Sequence, residues 1–170
     1  MKKITCIFGV IVVSSILLAG CTSQTVHRSY TNSLYGFSLD PPGGWDAVAN
    51  ESASVAVQFF PLNSSNVSLV VGVPFSLGEG RALSTFADQV EENLSASGGN
   101  YTVVYQDWAS IPGVQAYVIV YSYEQGGMVQ RVKQVAILRT RTVFLITFST
   151  PSALYIKYLT AVDQCIDSFV

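Results

Sequence analysis

Residues 101–150 read YTVVYQDWAS IPGVQAYVIV YSYEQGGMVQ RVKQVAILRT RTVFLITFST. β-Branched and aromatic residues crowd four segments, 101–109, 114–123, 129–138 and 143–150. Between them stand Ile111-Pro112-Gly113, Glu124-Gln125-Gly126-Gly127 and the polar Arg139-Thr140-Arg141, all turn chemistry. Strands joined by connections this short return alongside one another, so the stretch predicts an antiparallel meander. Upstream, Leu83, Phe86, Ala87, Val90 and Leu94 fall at helical spacing, with Asp88, Gln89, Glu91 and Glu92 on the other face and Ser97-Gly98-Gly99 as the stop. Further upstream, alternation over 35–39 and apolar runs over 53–61 and 66–73 predict strands, and Asp40-Pro41-Pro42-Gly43-Gly44 is a hard break before Trp45. Downstream of Pro151, Tyr155, Tyr158, Leu159, Val162, Ile166 and Phe169 mark one face of a closing helix. The order implies an α+β domain, a central antiparallel β-sheet flanked by helices.

The N-terminal region has a different logic. Met1-Lys2-Lys3 is a short cationic start, residues 4–18 are almost wholly apolar, and Leu17-Leu18-Ala19-Gly20-Cys21 closes with small residues before a cysteine. That order reads as a secretory signal over 1–20, too short for a comfortable membrane span. Its end resembles the lipobox of lipoproteins, which makes Cys21 the expected lipidation site and membrane anchor. Residues 21–31 then form a polar tether and 32–170 a single domain. Cys6 would leave with the signal, so only Cys165 remains inside the domain and no internal disulfide is available. About 150 residues suffice to bury close to 70% of the unfolded surface without one.

Without residues 1–20 the chain keeps 7 basic and 11 acidic residues, a net charge of −4. This sparse, mildly acidic surface excludes nucleic acid as an expected partner. Five of the six asparagines, Asn50, Asn63, Asn66, Asn93 and Asn100, begin N-x-Ser/Thr triplets, candidate glycan acceptors of an exported glycoprotein. Crowded sequons behind a lipidated cysteine fit an archaeal cell surface better than a bacterial one.

Tyr35-Gly36-Phe37-Ser38-Leu39, a Pro-Gly turn and Trp45 resemble the opening of the PsbP and Mog1-like families, including prokaryotic lipoproteins of the DcrB type. Phe148-Ser149-Thr150 and the helix through Ile166-Asp167-Ser168-Phe169 are similar to their close. The resemblance covers roughly residues 30–170. It implies an α/β/α sandwich used as a binding or assembly module, and it does not imply photosystem work.

Candidate chemistry is thin. His27, the only histidine, lies in the tether, where no general base or triad is held in place. Cys165 sits beside Asp163 and Asp167, the wrong setting for a nucleophilic thiolate. Asp40 and Asp46 flank the Pro-Gly turn and form the carboxylate pair most worth locating. No calcium loop is present, and Gly78-Glu79-Gly80-Arg81 lacks a phosphate-binding lysine. Arg131, Lys133, Arg139 and Arg141 supply four of the seven basic residues outside the signal. On a regular strand Arg131 and Lys133 share a face, a patch for headgroups or an acidic partner, or else an edge-strand defence with turn charges. Tyr121 and Tyr123 share a face too and suit a recognition surface.

These readings converge on an extracytoplasmic, membrane-anchored lipoprotein without catalytic residues, metal or cofactor. Its expected partner is a membrane or cell-surface protein complex, and the chain itself is expected to be a monomer. A small-ligand carrier or sensor with a pocket between sheet and helix is the alternative.

Overall fold

The structure is a computed structural model that describes residues 29–49, 54–79, 82–96 and 101–170. Ten strands and two helices follow in order: β1 (Tyr30–Asn32), β2 (Phe37–Leu39), β3 (Trp45–Val48), β4 (Val55–Pro61), β5 (Ser68–Gly72), β6 (Phe75–Ser76), α1 (Leu83–Ala96), β7 (Tyr101–Ile111), β8 (Val114–Gln125), β9 (Met128–Arg139), β10 (Thr142–Pro151) and α2 (Tyr155–Asp167). The main sheet runs β3-β4-β5-β10-β9-β8-β7, with β6 paired to part of β10. The predicted meander is its wide half. Arg139 opposes Thr142 across one turn, Gln125 opposes Met128 across the next, and Ile111 opposes Val114 across the third. Gly126 and Gly127 both take positive φ, +59° and +76°, which the tight turn between β8 and β9 demands and few other residues accept.

After β6 the chain crosses one face of the sheet through α1 to reach the far margin at β7. It then folds back strand by strand until β10 lies against β5. This crossover puts the two helices on opposite faces, because strand side chains alternate. On β8, Ala116, Val118 and Val120 join Val135, Ile137, Phe144, Ile146 and Phe148 beneath Tyr155, Val162 and Ile166 of α2. The intervening Tyr117, Ile119 and Tyr121 join Val132, Ala136 and Val143 beneath Leu83 and Ala87 of α1. The architecture is the α/β/α arrangement expected, mostly antiparallel sheet with one helix on each side.

Three short strands escaped the sequence reading: β1, β3 and β6, each of two to four residues. The first overlaps the last two residues of the expected tether. Tyr30 pairs with Leu39 and meets the Phe59 ring edge-on at 5.4 Å, so the folded part begins by Tyr30 rather than at residue 32. At the other terminus, Ser38 and Val170 exchange backbone hydrogen bonds of 2.8 and 3.0 Å, which ties the end of the chain to β2. Phe37 and Phe169 stack at 5.5 Å within the same junction. Among the described residues no helix is long and apolar enough to cross a membrane.

Candidate interaction surfaces

Cys21 and His27 lie outside the described residues, as do Asn50 and Asn100. Asn93 falls on α1 with its side chain outside them. Asn63 and Asn66 are exposed on the turn between β4 and β5, where Ser64 N–H donates to the Pro61 carbonyl at 3.2 Å.

The four cations do not form one free stripe. β9 is an interior strand, between β8 and β10, so they are not an edge defence either. Arg131 and Lys133 share a face as their spacing requires, and that face looks toward α2. Arg131 Nε donates to Ser122 Oγ at 3.1 Å, and its guanidinium lies 5.5 Å from the Tyr155 ring centre. Lys133 Nζ meets Asp163 Oδ1 of α2 at 2.7 Å. Arg139 Nη1 donates to the Gly36 carbonyl at 3.3 Å and covers Phe144. Only Arg141, in the turn before β10, remains well exposed, 3.8 Å from the exposed Glu79. Three of the four charges thus work inside the molecule, pinning α2 and the β1–β2 turn to the sheet.

The tyrosine pair is likewise not a free surface. Tyr121 is buried, its ring 6.3 Å from half-buried Tyr123. Burial first, and the neighbouring Tyr123 second, push the Tyr121 hydroxyl above its ordinary pKa.

The Pro-Gly break makes a concavity among the described residues. Asp40 N–H donates to Ser168 Oγ at 2.8 Å, and Ser168 Oγ donates onward to the Cys165 carbonyl at 2.6 Å. The turn is thereby lashed to the end of α2, and an open cleft of about 310 Å³ lies between them, lined by Asp40, Pro41, Pro42, Gly43, Ala161, Gln164 and Cys165. Asp46 is exposed on β3 and is not part of the lining, so the two carboxylates are not brought together there. The Cys165 thiol is pushed up to about 12, by burial first and Asp40 second, which leaves it a protonated, inert lining group. No cluster of three or more His, Cys, Asp or Glu side chains suited to a metal occurs among the described residues.

A second surface lies at the far margin. β7 has no strand beyond it among the described residues, so alternate backbone N–H and C=O groups face outward. Val103, Val104, Tyr105 and Trp108 are all exposed there, Tyr105 by 52% and Trp108 by 45%. A register shift between Val103 and Tyr105 leaves Val104 as a bulge. Trp108 leans on Tyr117 of β8 at 5.2 Å, joining the margin to the α1-side core. Sequence reasoning found the strand but not its position, since nothing local says which strand of a meander ends the sheet.

A family model described as PsbP matches residues 25–170. Cyanobacterial PsbP (CyanoP) from Synechocystis sp. PCC 6803 is similar in fold at a TM-score of 0.66 and 17% identity, over 90% of this chain and 98% of that one. LpqN of Mycobacterium tuberculosis, described as involved in cell envelope biogenesis, gives 0.68 at 12% identity over 79% of this chain and 82% of its own. A Pseudomonas aeruginosa protein of unknown function, described as a putative regulator, gives 0.57 at 17% identity over 84% and 95%. No curated protein matches the sequence.

Proposed function

The chain belongs to the PsbP family, and from that premise we propose that it is a non-catalytic binding or assembly module held at the extracytoplasmic face of a membrane by lipid on Cys21. What carries this reading is the β7 margin. An eleven-residue strand at the sheet margin with four exposed large apolar or aromatic side chains suits the docking of another protein. The lipid anchor supplies the rest of the mechanism. Confining the domain to the bilayer raises its effective concentration near membrane complexes, so modest contacts suffice. LpqN, similar in fold, is described by its role in the cell envelope, which supports the same address.

The test is chemical cross-linking in the native membrane, comparing the wild-type chain with Cys21→Ser. One dominant membrane partner, lost with the anchor, is the expected result. Equal capture by both forms would sink the tethering mechanism, and an unmodified mature N-terminus in the mass spectrum would sink the anchor.

The cleft behind the Pro-Gly turn favours a second reading, a small-ligand carrier. It lies between a turn and α2 rather than between sheet and helix. Native mass spectrometry of the purified protein separates the two readings, since a carrier retains a bound mass.

A further inference from the structure

The chemistry of the β7 margin narrows what would dock there. Trp108 N–H donates to Asp107 Oδ1 at 2.7 Å, so one backbone donor of this strand is spent on its own carboxylate rather than on a neighbouring strand. Tyr105 hydroxyl donates to Asp107 Oδ2 at 3.4 Å. Asp107 is the single charged residue among the eleven of β7, and it is exposed. Any strand laid against this edge would cover that carboxylate, and a covered carboxylate must meet a cation or be strongly disfavoured. A second copy of the chain would present the same residues, Tyr101 to Ile111, among which there is no Lys, Arg or His. Self-pairing therefore leaves both Asp107 side chains without a cation.

We propose that β7 is completed by an extended segment of a partner protein, added as a further strand, with apolar side chains against Val103 or Trp108 and a Lys or Arg against Asp107. This rests on the binding-module reading and names its partner's chemistry. Backbone pairing supplies affinity, the exposed apolar side chains fix the register, and the charge-assisted contact to Asp107 selects a basic segment over an acidic one. The edge is capped by its own carboxylate until such a segment arrives, a device that suppresses random strand addition.

The test uses the full chain in its native membrane, with the photoreactive residue p-benzoylphenylalanine replacing Val104 or Trp108, and Leu62 or Ile156 as positions on other surfaces. Expected are cross-links from Val104 and Trp108 to one extended, Lys- or Arg-bearing segment of a single partner. Asp107→Lys should lower that yield by at least about tenfold, and reversing the mapped basic residue to Glu should restore it. Asp107 is exposed, so the variant is expected to keep the wild-type circular dichroism. Cross-links confined to Leu62 or Ile156 would overturn edge docking and leave the module reading standing. Cross-links from β7 to a second copy, or yields indifferent to Asp107→Lys, would overturn the basic-segment chemistry. Silence at every position would overturn both the docking edge and the module reading.

Discussion

On the α2 side of the sheet, Phe37, Phe59, Phe144, Phe148 and Phe169 close a continuous layer, none more than 4% exposed. On the α1 side the aromatic positions along β8 are tyrosines, Tyr117, Tyr121 and Tyr123, and they grade from buried to half-buried and then to exposed Trp108 on β7. The first side is also clamped by polar contacts: Lys133 to Asp163, Arg139 to Gly36, and Ser38 to Val170. The second has a smaller buried cluster and one helix across it. The difference teaches which chemistry seals a core and which suits a margin. Phenylalanine has no polar group to satisfy and suits a sealed core, whereas tyrosine and tryptophan tolerate a wet margin and suit recognition.

The contrast breaks most readily at Phe148. Fully buried, with its ring 5.6 Å from Tyr155, it links β10 to α2. Phe148→Ala should cost about 3–5 kcal/mol, read from urea unfolding. Leu83→Ala on the α1 side removes an equally buried residue, 1% exposed, from the smaller cluster. It should fall near the low end of about 2–5 kcal/mol, because a partly open cluster relaxes into the space more easily. If Leu83→Ala proved the more damaging, the assignment of the two faces would be reversed.

A smaller effect reports on Cys165 at the seal between α2 and the Pro-Gly turn. Its folded pKa is raised to about 12 from an ordinary 9.0, so the folded state holds its proton where the unfolded state loses it. The associated stability is fully present below pH 9 and declines as pH rises from 9 toward 12. At pH 10 the loss is on the order of 1 kcal/mol. Unfolding midpoints of wild type and Cys165→Ala between pH 8 and 10 check it, and the variant should show the shallower decline. Tyr121 and Tyr155, also raised by burial, add the same sign at higher pH in both proteins.

How far these regions were legible in the sequence differs for physical reasons. The meander was readable because Pro112-Gly113 and Gly126-Gly127 force turns and because β-branched runs leave no helical alternative. The helices were readable from period, within two residues at α1. β1, β3 and β6 were not, since a pairing of two to four residues has no period to detect. Arg131 and Lys133 illustrate the limit for sites. Their shared face followed from spacing, but the arrival of Asp163 and Tyr155 over that face depends on contacts across 24 to 30 positions of chain, which spacing does not encode. Tyr121 fails similarly, because α1 lies across the face that the sequence left open. The β7 margin was the converse case. Its run of β-formers was legible as a strand, but only strand order placed it at the end of the sheet.

The smallest expected effect bears on what the cations of β9 are for. The Lys133–Asp163 pair spans 2.7 Å, but its side chains are 17% and 39% exposed, so water screens it and the coupling should be modest. A double-mutant cycle with Lys133→Met and Asp163→Asn should give about 0.2–1 kcal/mol. The Met variant preserves the stem that packs along the sheet, so the cycle isolates the charge rather than the volume. A coupling in that range means that Lys133 orients α2 within the fold, and membrane capture should survive Lys133→Met unchanged. Zero coupling together with lost capture would return Lys133 to the contact surface that its spacing first suggested. The α2 side would then carry a second contact surface away from the β7 margin.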